Sequence, residues 1–199
     1  MNKIVKRYYK LAYDYYLSAT VLWGQIINAP YIYHPTIYLL RHTAELLLKG
    51  LIIDEKLKLT STLDISKITI QENNACKNIN TVHSLFYLWE NYKQIHKENR
   101  LVPCFTIKQE QAIDKVIKFF NDKDFNSTTF RYPYNKQGKA IIIEPLDFNS
   151  SGKTPELGTK PPTIIQCGDT VCVIKKGIRY ISQTQKLFDI IDLLFQFYG

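Results

Sequence analysis

Cysteine is scarce, and the four present (Cys76, Cys104, Cys167 and Cys172) have no histidine at the spacing of a zinc site. A disulfide scaffold and a structural metal are therefore excluded as the source of stability, and the cysteines read as reduced and structural. Arginine is also rare: of 26 Lys+Arg only Arg7, Arg41, Arg100, Arg131 and Arg179 are arginine, so the +8 formal charge is mostly lysine. Such a surface suits a polyanion without specifying one. Glycine-rich phosphate loops, serine nucleophile elbows and His-x-x-x-His pairs are all missing, which removes the enzyme classes built on them. No apolar stretch reaches the ~20 uncharged residues of a membrane span. Met1 to Arg7 is basic, but Lys10 and Asp14 interrupt the apolar run that a secretory signal needs, so a soluble cytoplasmic protein is expected.

What is present is enough for one folded domain. The 199 residues are 45% hydrophobic and 22% charged, sufficient to bury a core unaided. Ile4, Tyr8, Leu11, Tyr15, Ala19 and Leu22 recur at helical spacing from Lys3 to about Ile27. Two prolines end that helix, and a second is expected from near Pro35 to about Asp54. A polar stretch follows, with a short strand around Lys67 to Ile70. Thr81 is the expected cap of a helix over Val82 to Lys97, and Thr106 that of another over Lys108 to Asn121. Beyond Asp124 the pattern predicts β structure: an apolar run, Ala140 to Ile143, a Pro/Gly-rich loop, Asn149 to Pro162, and a hairpin of Thr163 to Gln166 and Thr170 to Ile174 turning at Cys167-Gly168-Asp169. Ser182-Gln183-Thr184-Gln185 resembles a capping box that starts a last helix bearing Leu187, Ile190, Ile191, Leu194 and Phe195. The expected fold is all-α: a single domain with a four-helix part (1–124), a loop and β-hairpin insertion (125–181) and a C-terminal helix (182–199).

The second helix carries the most informative pattern. Tyr38, His42, Glu45 and Lys49 fall within about 60° on the helical wheel, with Arg41 on the flank, and apolar residues fill nearly all the rest. Burying a lone charge is costly, so this stripe must pair internally, line a groove or meet a partner's charges. One reading is a central helix whose only exposed edge is the stripe. The other is a cleft in which Arg41 and His42 hold a phosphate and move a proton. Leu39, Leu46 and Ile53 form an apolar strip separate from Leu40, Leu47 and Leu51, a surface for the C-terminal helix or a second subunit to cover.

The stretch Tyr38-Leu39-Leu40-Arg41-His42-Thr43-Ala44-Glu45-Leu46-Leu47-Leu48-Lys49-Gly50-Leu51 resembles the second-helix signature of prokaryotic HEPN-like proteins: a polar pair, Ala-Glu, and an apolar-Lys-small-apolar ending. Thr81-Val82-His83-Ser84-Leu85-Phe86-Tyr87-Leu88-Trp89 is similar to the Thr-x-His-x-Leu-x-x-Leu that opens a later helix of that group. Phe130-Arg131-Tyr132-Pro133, followed by Gly138, looks like the Phe-Arg-Tyr-Pro turn of one branch. The matches cover about a quarter of the chain. The resemblance implies an up-and-down bundle of about five helices that binds RNA or nucleotide in toxin–antitoxin or antiphage modules, with an antitoxin or defence protein as partner, and a homodimer whose active cleft lies at the two-fold interface with Arg41 and His42 near it. Catalytic members are ribonucleases needing no metal or other cofactor. They use an Arg, four to six residues, then a His, and this chain lacks that spacing, since Arg41 is followed at once by His42 and then by no histidine until His83.

A ribonuclease site would therefore be composite. In it His42 and His83 are the expected catalytic groups, Arg41, Arg131 and Lys49 the phosphate or RNA ligands, and Glu45 and Tyr38 the support, with no metal. The alternative is a non-catalytic dimerising or partner-binding module. Tyr8, Tyr9, Tyr13, Tyr15 and Tyr16, interleaved with Lys6, Arg7 and Lys10, read first as core and second as a base-stacking basic face.

Overall fold

A computed structural model describes residues 2–25, 33–59, 64–99, 105–123, 147–149, 163–167, 170–176 and 178–198. Among them the chain is mostly helical, with five α-helices: α1 (Lys3–Gln25), α2 (Tyr33–Leu59), α3 (Leu85–Asn99), α4 (Ile107–Lys123) and α5 (Ile178–Phe195). Five short strands accompany them. β1 (Thr69–Glu72) and β2 (Ala75–Asn78) form a hairpin between α2 and α3, and β3 (Asp147–Asn149), β4 (Thr163–Cys167) and β5 (Thr170–Lys176) form an antiparallel sheet ordered β3-β5-β4 before α5. No helix among the described residues is long and apolar enough to cross a membrane.

The central element is α2, which is buried on nearly every side. It begins at Tyr33, two residues earlier than its proline suggests. Pro35 still lies in the first turn, where an amide N–H has no helical acceptor to lose. It also runs past Asp54 to Leu59, where Lys58 pairs with Asp54 and Glu55 at 2.6 and 3.1 Å and suits the helix C-terminus.

α1 packs on α2 through three residues seven apart, Val5, Ala12 and Ala19, all fully buried. Small side chains at that interval let the two helices approach closely. The flanks of this seam have different partners. On one, Tyr9 and Tyr16 meet Phe195 and Phe188 of α5 edge to face, Trp23 lies 5.6 Å from Phe188, and the Tyr16 hydroxyl donates to Asp192 at 2.6 Å. On the other, Tyr8 and Tyr15 turn toward the polar stripe of α2. The buried face is thus rotated from the one expected, and Leu11 is 45% exposed. A count of large apolar residues misplaces the seam because alanines form its centre. The tyrosines serve mainly in packing; even Tyr13, 43% exposed, sets its ring edge to face with Phe195 at 5.9 Å.

Both apolar strips of α2 are covered within one chain: Leu46 and Ile53 are buried, as are Leu40, Leu47 and Leu51. The motive for placing a second subunit on the Leu39–Leu46–Ile53 strip therefore falls away. α1, α3 and α5 all pack on α2 and between them enclose it.

Three local expectations are corrected. The strand near Lys67 to Ile70 is one arm of a hairpin, closed by Asn73 and Asn74 at positive φ (51° and 63°), a turn geometry asparagine tolerates better than most residues. The cap of α3 is Ser84, whose Oγ accepts from the Tyr87 amide, because Ile79–Thr81 form a separate 3-10 turn that ends at the extended Val82. α5 starts at Ile178, so Ser182 to Gln185 are interior, and buried Thr184 faces the Tyr33 hydroxyl at 3.1 Å. By contrast, Thr106 caps α4 in reciprocal fashion: its Oγ1 accepts from the Gln109 amide at 3.3 Å while its own amide donates to Gln109 Oε1 at 2.8 Å. The hairpin before α5 forms with Cys167 opposite Thr170, and the additional strand is 147–149. Ala140 to Ile143, 150–162 and the turn around Arg131 lie outside the described residues.

The seam is testable by urea unfolding followed by circular dichroism. Ala12→Leu should destabilise by about 1–3 kcal/mol through overpacking between α1 and α2. Leu11→Ala should stay within about 0.5 kcal/mol of wild type, since an exposed leucine has little packing to lose.

Candidate functional site

Residues on α2, on the 3-10 turn and on the segment before α3 converge on one carboxylate. Glu45 is 1% exposed, and an isolated ionised carboxyl at that depth is untenable. Lys49, one turn along, donates to Oε1 at 2.8 Å, and Arg41, one turn back, places Nη1 3.4 Å from Oε2. The i, i+4 geometry of a helix supplies both cations from the same stripe. His83, from outside the helix, sets Nδ1 3.0 Å from Oε1.

Burial by itself would raise the Glu45 pKa. The His83 hydrogen bond and the charge and hydrogen bond of Lys49 prevail and hold it at about 2. The field of this carboxylate reaches α1, where Tyr8 is pushed upward first by burial and then by the charge of Glu45.

The loop bearing His83 is held from several sides. Arg41 Nη2 donates to the His83 carbonyl at 2.7 Å. Lys49 Nζ lies 3.5 Å from the Asn80 carbonyl, and the Tyr8 hydroxyl donates to Asn80 Oδ1 at 2.9 Å. Ser84, next in sequence, donates to Asn121 Oδ1 on α4 at 2.8 Å. Arg41 and Lys49 thus have a structural task. Arg41 is wholly buried and Lys49 nearly so, each engaged with Glu45 and with a carbonyl of this loop.

The two histidines differ. His42 is partly covered, its ring 4.7 Å from Tyr15 edge to face and stacked on Tyr38 at 5.9 Å, with Nδ1 4.0 Å from Glu45 Oε2. Tyr38 supports the site in this sense. His83 is half exposed, with 49% of its side chain accessible, and lies ahead of α3 rather than in its first turn. An ionised carboxylate accepts only, so His83 Nδ1 carries the proton toward Glu45. In the neutral ring Nε2 is then left as a lone-pair acceptor, the arrangement of a carboxylate-oriented general base.

His42, His83, Arg41, Glu45, Lys49 and Tyr38 therefore form one cluster, whereas Arg131 lies outside the described residues. Sequence reading missed Tyr8, Tyr15 and Asn80, whose signal was the seven-residue tyrosine spacing beside the α1 seam. It also missed a second buried contact of the same kind, His96 Nδ1 at 3.6 Å from Glu55, with His96 stacked on Tyr92. That pair is enclosed, so it reads as core support. Grooves of about 410 and 520 Å³ lie elsewhere, the first between Lys115 and Lys186, the second between Asn73 and Gln94. No three metal-binding side chains cluster among the described residues.

Glu45→Gln would leave two buried cations uncompensated and should lower stability by about 3–5 kcal/mol at pH 7. A carboxyl whose folded pKa lies near 2, against 4.5 for an exposed group, stabilises fully above about pH 4.5 and loses that contribution as pH falls toward 2. Urea unfolding at pH 7 and at pH 3 should therefore show the gap between wild type and Glu45→Gln narrowing in acid; a gap of constant size would show that Glu45 is not ionised in the folded state.

No family model matches this chain, and the searches of curated proteins and of solved structures likewise found no match.

Proposed function

We propose that this chain is a cytoplasmic HEPN-like module of a prokaryotic defence or toxin–antitoxin system that binds RNA or nucleotide phosphate and acts as a metal-independent endoribonuclease through His83. The observation that carries the reading is the 3.0 Å contact between half-exposed His83 and a buried carboxylate held ionised by two cations. The site is open, which suits a polymer laid across it better than an enclosed small molecule. In the reaction His83 Nε2 takes the proton of a ribose 2′-hydroxyl, whose oxygen attacks the neighbouring phosphorus. A 2′-O–P bond forms, the P–O5′ bond breaks, and the 5′ oxygen takes a proton from solvent or from a protonated His42. Arg131 is the cation proposed to meet the developing charge on phosphate.

A second reading, a non-catalytic partner-binding or dimerising module, is favoured by one observation: Arg41 and Lys49 both spend their charge on Glu45. An antitoxin or another defence protein would be the partner.

The two separate on single-stranded RNA in the presence of EDTA. The ribonuclease reading expects fragments ending in 2′,3′-cyclic phosphate and a rate reduced about 10²–10⁴-fold in His83→Ala. RNA left equally intact by wild type and His83→Ala would leave the partner-binding module standing.

A further inference from the structure

The N-terminal half of α1 departs from helix electrostatics. Its first three turns carry Lys3, Lys6, Arg7 and Lys10 and no acidic residue, at the end where the backbone amides already place positive charge. Lys3 and Lys6, in the first turn, are unfavourable there, and four cations close together repel one another. All four are exposed, and none forms an ion pair among the described residues; even Asp14, one turn beyond Lys10, makes no bridge to it. Nothing in the packing of the helix calls for them, because the buried face is Val5, Ala12 and Ala19 with its tyrosine flanks.

The stripe has two neighbours that bear on its use. At its far end Tyr13 is 43% exposed and lies parallel to Tyr9, with ring planes 2° apart and centroids 6.4 Å apart. At its side, Tyr8, next in sequence to Arg7, reaches Asn80 in the loop that presents His83. From Lys3 to Lys10 the helix rises about 10 Å, enough to follow more than one backbone phosphate.

We infer that the outer face of α1 is a binding track for single-stranded RNA, with Lys3, Lys6, Arg7 and Lys10 on the phosphates and Tyr13 as a platform for an unpaired base. Cations without protein partners are free to release the counterions of a nucleic acid, and an exposed aromatic ring beside them favours a single strand over a duplex. The track rests on RNA being the ligand of the proposed function.

The test uses the whole protein, fluorescently labelled single-stranded RNA and a salt titration by anisotropy. The variant is Lys3→Glu, Lys6→Glu, Arg7→Glu and Lys10→Glu combined, and acids at the start of a helix suit its dipole, so its melting temperature should equal or exceed that of wild type. Losing four phosphate contacts should reduce the slope of log K against log salt by about 3, with binding at 50 mM salt weakened at least tenfold. Tyr13→Ala should weaken binding without changing the slope. Unchanged RNA affinity in the quadruple variant overturns the track, whether or not His83-dependent cleavage is seen. RNA bound through α1 yet left uncut removes the ribonuclease reading and keeps the track. Wild type that binds phosphatidylserine vesicles and not RNA overturns it in favour of a membrane surface.

Discussion

The ionised carboxylate of Glu45 is the constraint on which the polar half of this protein depends. A charge at that depth is tolerable only with partners on each oxygen, and the chain supplies Arg41 and Lys49 from the same helix and His83 from across the fold. Because His83 must come to Glu45, the segment from Asn80 to Ser84 is drawn against α2, and Arg41 and Lys49 bind its carbonyls as well. One buried charge thus fixes the loop, the tautomer of the exposed imidazole and the approach of α3.

The apolar half is organised by α1. Its three buried small residues set the distance to α2, and the larger residues beside them divide their work: aromatic packing against α5 on one flank, hydroxyl and ring contacts to the polar site on the other. The same helix therefore joins the core to the candidate site. Its third face, turned away from both, carries Lys3, Lys6, Arg7 and Lys10, none in an ion pair among the described residues, together with the exposed Leu17 and Val21. Packing explains two of the three faces.

Much of this was legible in the residues, and the failures have physical causes. The three- and four-residue recurrence of Ile4, Tyr8, Leu11, Tyr15, Ala19 and Leu22 identified α1, but alanine contributes so little to a hydrophobicity count that the seam of Val5, Ala12 and Ala19 was read about one residue off. Thr106 was recognised as a cap because Thr-x-x-Gln closes on itself locally. Ser182 carries the same reciprocal signal and Thr81 only a capping hydroxyl, and tertiary packing overrode both, setting Ser84 at the start of α3 and extending α5 back to Ile178. The first hairpin was only half seen, since Asn73-Asn74 is a weaker turn signal than a pair containing glycine.

By itself the sequence determined the number and order of the helices, the strongly apolar character of α2 and the presence of one narrow ionic stripe on it. These follow from periodicity, which is a property of neighbours in the chain. Only the tertiary structure decided that the stripe is buried rather than exposed, that His83 joins it across 38 residues, and that Arg41 and Lys49 bind the carbonyls of the loop as well as Glu45. The reason is that a helical wheel shows which residues share a face and carries no information on what covers that face. Here the cover is α1 together with the segment before α3, and the charge balance around Glu45 is complete only once they are in place.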